Sequence, residues 1–223
     1  MSASRGRLIA LGVAMTAWLA PSAAAPQAQT PLATIVTVGG HAEIFRRSTG
    51  TWIPAALRDD LAGGDGVRTR SGRLTLRASS AESLRLDVRS ELFLAADGDS
   101  SADTGLRVRL DAGRLWLAVR SSSPDAIPIA VTAGMVTVTT RGGGLTIGMS
   151  PDGSVHIGVA HGTATATGRD WTRTLAQDQE LVVPATAPPE RPVALKRSKR
   201  DAEWMKWNEQ QDQAGGYGAR RTE

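Results

Sequence analysis

Three histidines, His41, His156 and His161, are the side chains of this sequence whose type suits metal binding or proton transfer at neutral pH. His156 alternates with apolar neighbours in a strand-like run, and His161 precedes a turn glycine. A zinc site needs such ligands to converge with a carboxylate and to leave one position open. The spacing gives no sign of convergence, so we expect surface or edge histidines and no metal.

Two short motifs begin like ligand-binding loops and then depart from them. Residues 97–103 start as a calcium loop does, but Ala102 and Val108 stand where that loop needs glycine and glutamate. The glycines of residues 141–144 are followed by strand-like residues, whereas a phosphate cradle needs a helix there. The chain has no cysteine and no nucleophile elbow. We therefore expect no catalytic residue and no cofactor.

The N-terminus predicts export. Arg5 and Arg7 precede an apolar run over residues 8–20, and small residues at 22–25 suit signal peptidase. The run is shorter than the ~20 residues of a membrane span, and no later segment is long and apolar enough to be one. We expect a signal peptide at residues 1–24 and a periplasmic or secreted protein, with an uncleaved anchor as the alternative.

The charge of the chain is mild. The formal net charge is +4, and removal of Arg5 and Arg7 with the leader lowers it to +2. Basic and acidic residues alternate through the body rather than forming a one-signed patch. Nucleic acid is therefore not an expected partner.

Residues 34–184 alternate apolar and polar positions in short runs separated by Gly- and Asp-containing turns. Alternation with a period of two places apolar groups on one face of a strand. Several short strands at near-regular spacing are typical of all-β architectures. We predict an all-β domain, built as an antiparallel β-sandwich or roll, or as a β-solenoid.

The composition changes after residue 184. Prolines and then basic residues mark residues 185–197 as a linker, and a capping pattern predicts a short C-terminal helix over residues 198–213. Residues 214–223 are expected to be a disordered tail.

Trp204 and Trp207 share one face of the predicted helix, with Gln211 continuing the stripe. The favoured interpretation is that both rings pack on the chain's own β body and cover an edge strand. The alternative is that they dock on a partner or on a membrane surface.

The order of turn and strand motifs in residues 34–184 resembles that of the FecR family of periplasmic β domains. Trp52 precedes the Gly-Asp turn and Arg-Thr strand of residues 64–69, and a strand with a Gly-bearing turn follows at 110–115. Thr- and Gly-bearing turns recur at 138–143 and 157–163. The resemblance implies a periplasmic, non-catalytic module that senses or binds a partner. Signalling members also carry a cytoplasmic sigma-factor-binding segment; only seven residues precede the apolar run here, so we expect no direct sigma-factor contact.

Two kinds of partner are expected, with the oligomeric state left open. An envelope protein would bind a sheet edge, an arginine-bearing face or the helix, and the candidate residues are Arg85, Arg89, Arg107, Arg109, Trp204 and Trp207. The alternative is a structural role on cell-wall glycan or exopolysaccharide, with aromatic contacts from Trp52, Trp116 and Trp171.

Overall fold

The computed structural model describes residues 31–79, 81–96, 105–120, 127–196 and 199–217. The predicted signal peptide and the calcium-like loop lie outside the described residues. Within the described ranges, no helix has both the length and the apolar character needed to cross a bilayer.

Short strands make up most of the described chain. The first group is β1 (Ala33–Val38), β2 (Ala42–Arg46), β3 (Thr51–Pro54), β4 (Asp60–Leu61), β5 (Gly66–Thr69), β6 (Leu74–Ser79), β7 (Glu82–Leu86) and β8 (Glu91–Leu94). The second group is β9 (Arg107–Val119), β10 (Ile129–Ala133), β11 (Val136–Thr140), β12 (Gly143–Met149), β13 (Val155–Gly162), β14 (Ala164–Thr167), β15 (Thr172–Leu175), β16 (Gln179–Val183) and β17 (Val193–Ala194). One helix follows, α1 (Lys199–Gly215).

The strands form two sheets that are joined along β9. Sheet A has the order β4-β1-β6-β7-β9-β12-β13-β16-β17. Sheet B has the order β3-β2-β5-β8-β9-β10-β11-β14-β15. All of these ladders are antiparallel except β9 with β10. The prediction of an all-β domain followed by a C-terminal helix is confirmed.

Strand β9 changes sheets at a glycine. Its first residues pair in sheet B, and Leu115–Val119 pair in sheet A. Gly113 lies between these parts with φ of 78°, a conformation that costs other residues energy. A Cβ atom there would lie 2.4 Å from the carbonyl oxygen of Arg89. Glycine is therefore required where the long strand passes from one sheet to the other.

The two sheets enclose one hydrophobic core. Ile35 and Leu76 of sheet A are fully buried in the same cluster as Ile44 and Val67 of sheet B. Polar residues of these strands alternate with the core residues and face outward, as the period of two requires. The fold is thus a two-layered body whose outer sheet faces remain for other contacts.

Helix α1 lies on the outer face of sheet A. Trp204 and Met205 form a second apolar cluster with Trp116 and Ala118 of β9 and with Ala160 of β13. The favoured prediction that the helix tryptophans pack on the chain's own β body is confirmed for Trp204. The helix covers the face of sheet A, however, and not an edge strand as predicted.

The C-terminal boundaries differ slightly from the predicted ones. The helix extends to Gly215, two residues past the predicted end. The predicted linker contains β17, which adds to β16 through Val193 opposite Glu180. Tyr217, placed in the predicted tail, is buried in the helix cluster; residues 218–223 lie outside the described part.

Candidate binding surfaces on the two sheet faces

A buried polar network fastens α1 to sheet A. Asp212 accepts a hydrogen bond from Arg85 Nη1 at 2.5 Å and another from Trp116 Nε1 at 3.0 Å. Arg85 is 4% exposed and Asp212 is 1% exposed. Burial raises the pKa of the Asp212 carboxyl, and the adjacent Arg85 guanidinium acts in the opposite direction. Arg85 also donates to the backbone oxygen of Asn208 at 3.3 Å.

A second ionic contact holds the start of the helix. Arg114 bridges Asp201 of α1 and Asp87 of the β7–β8 turn, at 2.6 Å in both cases. Burial by itself raises the pKa of the Asp87 carboxyl, but hydrogen bonds from Arg114 and Arg73 outweigh it, so that the pKa lies below its ordinary value. Helix docking therefore depends on charged pairs as well as on apolar contact.

The tryptophans of α1 stack on each other beneath arginines. The ring centroids of Trp204 and Trp207 are 5.6 Å apart. The Arg73 guanidinium lies 4.7 Å from the Trp207 ring centroid, and Arg114 lies 5.0 Å from that of Trp204, distances at which cation–π attraction is effective. Trp204 is 1% exposed and Trp207 half-buried, whereas Gln211 of the predicted stripe is exposed.

These placements correct part of the partner-binding prediction. Arg85 is buried in contacts within the chain, so the exposed position expected of it is wrong. Trp204 is buried as the favoured interpretation expected, so it is not available to a partner. The buried stripe of the helix runs through Trp204, Asn208 and Asp212, four residues apart. This four-residue spacing is visible in the sequence. Because Asn208 and Asp212 are polar, however, the pattern is typical of a solvent-exposed helix face.

An open groove of about 860 Å³ lies beside the N-terminal half of α1. Its floor is the outer face of sheet A, where Gly148 pairs with His156 across β12 and β13. The absence of side chains at Gly148 and Gly158 keeps this floor low. Trp204 and Leu195 form apolar walls.

Ionisable groups of both signs surround the groove. Its lining includes Arg89, Asp111, His156, Glu180 and Lys196. Among the described residues, no group of three or more histidine, aspartate or glutamate side chains is arranged to hold a metal ion. The arrangement suits recognition of a ligand that has both apolar and charged parts.

The three histidines lie in different environments. His41 and His156 are exposed, and His156 contributes to the groove. His161 is half-buried beside Gly144 and Trp116, and its Nε2 atom has no hydrogen-bond partner.

The outer face of sheet B carries an aromatic cluster. The rings of Phe45, Trp52 and Phe93 have centroids 5.4 to 6.0 Å apart. The Arg68 guanidinium lies 4.0 Å from the Trp52 ring, and Arg109 lies 4.8 Å from the Phe93 ring. The guanidinium groups of Arg68 and Arg109 therefore lie over the Trp52 and Phe93 rings on this face.

The four predicted arginines do not form one face. Arg107 and Arg109 lie on the sheet B part of β9, and Arg109 pairs with Asp111 at 2.6 Å. Arg85 lies on sheet A, and exposed Arg89 occupies the β7–β8 turn with φ of 57°. The expectation of a single arginine face is wrong because Arg85 belongs to sheet A, whereas Arg107 and Arg109 belong to sheet B.

The three tryptophans considered for glycan contact are also separated. Trp116 is 0% exposed beneath α1, so it is unavailable to any ligand. Trp52 is half-buried under Arg68, and Trp171 packs against the main core. The burial of Trp116 had a signal in the sequence, since residues 115–119 are apolar at every position and thus predict a strand covered on both faces.

Comparison with known proteins supports the fold. No family model and no curated protein matches the chain. Two crystal structures of a candidate anti-sigma factor from Parabacteroides distasonis match it with a TM-score of 0.52 and 13% identity. Each match covers 63% of this chain, and the chain spans 63% and 64% of the two solved chains. At this identity the similarity is one of fold.

Proposed function

We propose that this chain is an exported, non-catalytic binding module of the FecR type, and that it takes a segment of an envelope protein into the groove between α1 and sheet A. The observation that carries the proposal is the groove itself. It combines a glycine floor, apolar walls and ionisable groups of both signs.

A protein segment fits this groove better than a small uniform ligand does. Leu195, which is half-buried, and Val182, which is exposed, offer apolar contact within the groove, and apolar contact anchors most protein interfaces. Arg89, Lys196 and Glu180 add charges that select a partner by complementarity. The Asp212 network fixes α1 on sheet A, so the helix side of the groove is already formed before a partner binds.

The link to envelope signalling rests on the fold similarity to the anti-sigma factor candidate. The chain spans less than two thirds of those solved chains, so their activity is transferred here only as a proposal. We infer that binding in the groove would report the state of an envelope partner, as in the family that the sequence resembles.

Site-specific photo-crosslinking in the producing cell tests the groove. Val182 lines it and is 42% exposed, and Met135, in the β10–β11 turn, is 75% exposed and serves as the control position. A crosslinker at position 182 should capture a defined protein that position 135 does not. The proposal would be wrong if both positions captured the same proteins to the same extent.

Filling the groove provides the second arm of the test. The nearest atom to a Cβ built on Gly148 is the Gly113 carbonyl oxygen at 3.8 Å, so a side chain can be added without a clash at Cβ. Gly148→Leu should abolish the adduct at position 182 while leaving the unfolding midpoint nearly unchanged. An adduct that survives this substitution would show that the partner binds elsewhere.

A further inference from the structure

Acidic side chains that line the groove beside α1 are engaged by arginines of the chain itself. Asp87 accepts a hydrogen bond from Arg73 at 3.1 Å and another from Arg114 at 2.6 Å. Asp111 accepts two hydrogen bonds from Arg109, at 2.6 and 2.9 Å. The charges of these carboxylates are therefore balanced within the protein, and they do not compete for a further cation.

Arg89 is a cation at the same end of the groove. Its carbonyl oxygen lies close to Gly113 of β9, and its exposed side chain lines the groove. Asp201, a further acidic residue of the lining, is held by Arg114. Among the described residues, none forms an ion pair or a hydrogen bond with the Arg89 guanidinium. A guanidinium in this state is suited to bind a carboxylate through two parallel hydrogen bonds.

The opposite end of the groove has charges of both signs. Glu180 of β16 accepts a hydrogen bond from the backbone N–H of Lys196 at 3.1 Å, and both residues line the groove. Three strand spacings, about 14 Å at ~4.8 Å each, separate β9 from β16 across β12 and β13. The Arg89 end, unlike the Lys196 end, therefore has a positive charge that no neighbouring carboxylate offsets.

Apolar groups lie beside Arg89. Met149 pairs with Gly113 in the β9–β12 ladder, is half-buried and lines the groove. Ala112 is exposed in the same lining. A ligand at this end therefore meets a guanidinium and apolar surface together.

We propose that Arg89 determines which segment the groove accepts, by binding a carboxylate side chain that has apolar neighbours in the partner. This inference rests on the proposed function, which places a protein segment in the groove. Pairing of the Arg89 guanidinium with the carboxylate favours acidic segments over neutral and basic ones.

The backbone at Arg89 allows a clean test. Its φ is 57°, a value that glycine adopts without steric cost, so Arg89→Gly removes the guanidinium and preserves the turn. Arg58 is also exposed, has a φ of 72° and lies outside the groove lining. Arg58→Gly is therefore a matched control for the loss of one arginine at positive φ.

Selection of displayed peptides on the purified full chain supplies the probe. A random library is selected on the unsubstituted protein, and the peptides that Gly148→Leu does not bind are kept as groove ligands of known sequence. These peptides should be enriched in aspartate or glutamate next to apolar residues. The same selection on Arg89→Glu should enrich lysine or arginine instead.

Affinity measurements with one selected peptide separate charge from structure. Arg89→Gly should weaken binding about tenfold, and Arg58→Gly should leave the affinity unchanged. Replacing the acidic residue of the peptide by its amide should weaken binding to the unsubstituted protein, with no further loss in Arg89→Gly. Thermal unfolding should show both glycine variants to be at least as stable as the parent.

The outcomes distinguish this inference from the proposed function. Groove-dependent peptides without an acidic preference, an unchanged affinity in Arg89→Gly, or an equal loss in Arg58→Gly would overturn the role of Arg89 and leave peptide binding in the groove standing. If no selected peptide is sensitive to Gly148→Leu, the proposed function and this inference are both overturned.

Discussion

Replacing Asp212 tests whether the buried ionic network fixes the helix on the sheet. Asp212→Ala would leave the Arg85 guanidinium, 4% exposed, without its carboxylate and would remove the acceptor of the Trp116 indole. Breaking a buried pair on one side costs about 3–5 kcal/mol. Asp212→Asn keeps an acceptor for the indole and should cost less. Replacing both partners, as Arg85→Met with Asp212→Leu, should recover most of the loss.

Urea unfolding of each variant measures these costs. Far-ultraviolet circular dichroism reports the sheets. Tryptophan fluorescence, measured against a variant with Trp52 and Trp171 replaced by Phe, reports Trp116, Trp204 and Trp207 beneath and within α1. In Asp212→Ala, the fluorescence transition should move to lower urea, ahead of the sheet signal if the helix detaches first. Arg109→Ala, which breaks the exposed pair with Asp111, is the matched control and should cost about 0.2–1 kcal/mol. The reasoning fails if Asp212→Ala costs no more than this control.

Three further predictions follow from other contacts. Trp204→Ala should lower the free energy of unfolding by about 3–5 kcal/mol in urea titration, because the ring is fully buried, and a loss below about 1 kcal/mol would contradict this. The Glu43 carboxyl, hydrogen-bonded by Arg68, should titrate by NMR with a pKa of about 2, and Arg68→Gln should raise that pKa. Because folding lowers the Glu43 pKa, the ionised carboxylate stabilises the fold above pH 4.5, and this stabilisation is lost as the pH falls towards about 2. If the Glu43 pKa were the same in Arg68→Gln, the hydrogen bond from Arg68 would not be its cause. Gly113→Ala should cost about 1–3 kcal/mol in thermal unfolding, and a variant as stable as the parent would show that β9 does not need a positive φ there.

Local patterns predicted much of the architecture. Alternation such as that of Val136–Thr140 indicates a strand with one buried face, and the structure has β11 there with the valines inward. The capping pattern near residue 198 predicted a helix that the structure places at Lys199–Gly215. Both signals depend on neighbours within a few residues, so they can be read without knowing the tertiary fold.

The grouping of side chains into surfaces was decided by strand pairing. Arg85 and Asp212 are 127 positions apart and meet only because α1 crosses the face formed by β7 and β9. Thr137 and Thr167 become neighbours only through the β11–β14 ladder. The sequence alone therefore determined which residues face inward or outward along each strand, since that depends on the two-residue period. Which outward residues share a face depended on register and sheet order, because these are fixed by contacts between distant segments.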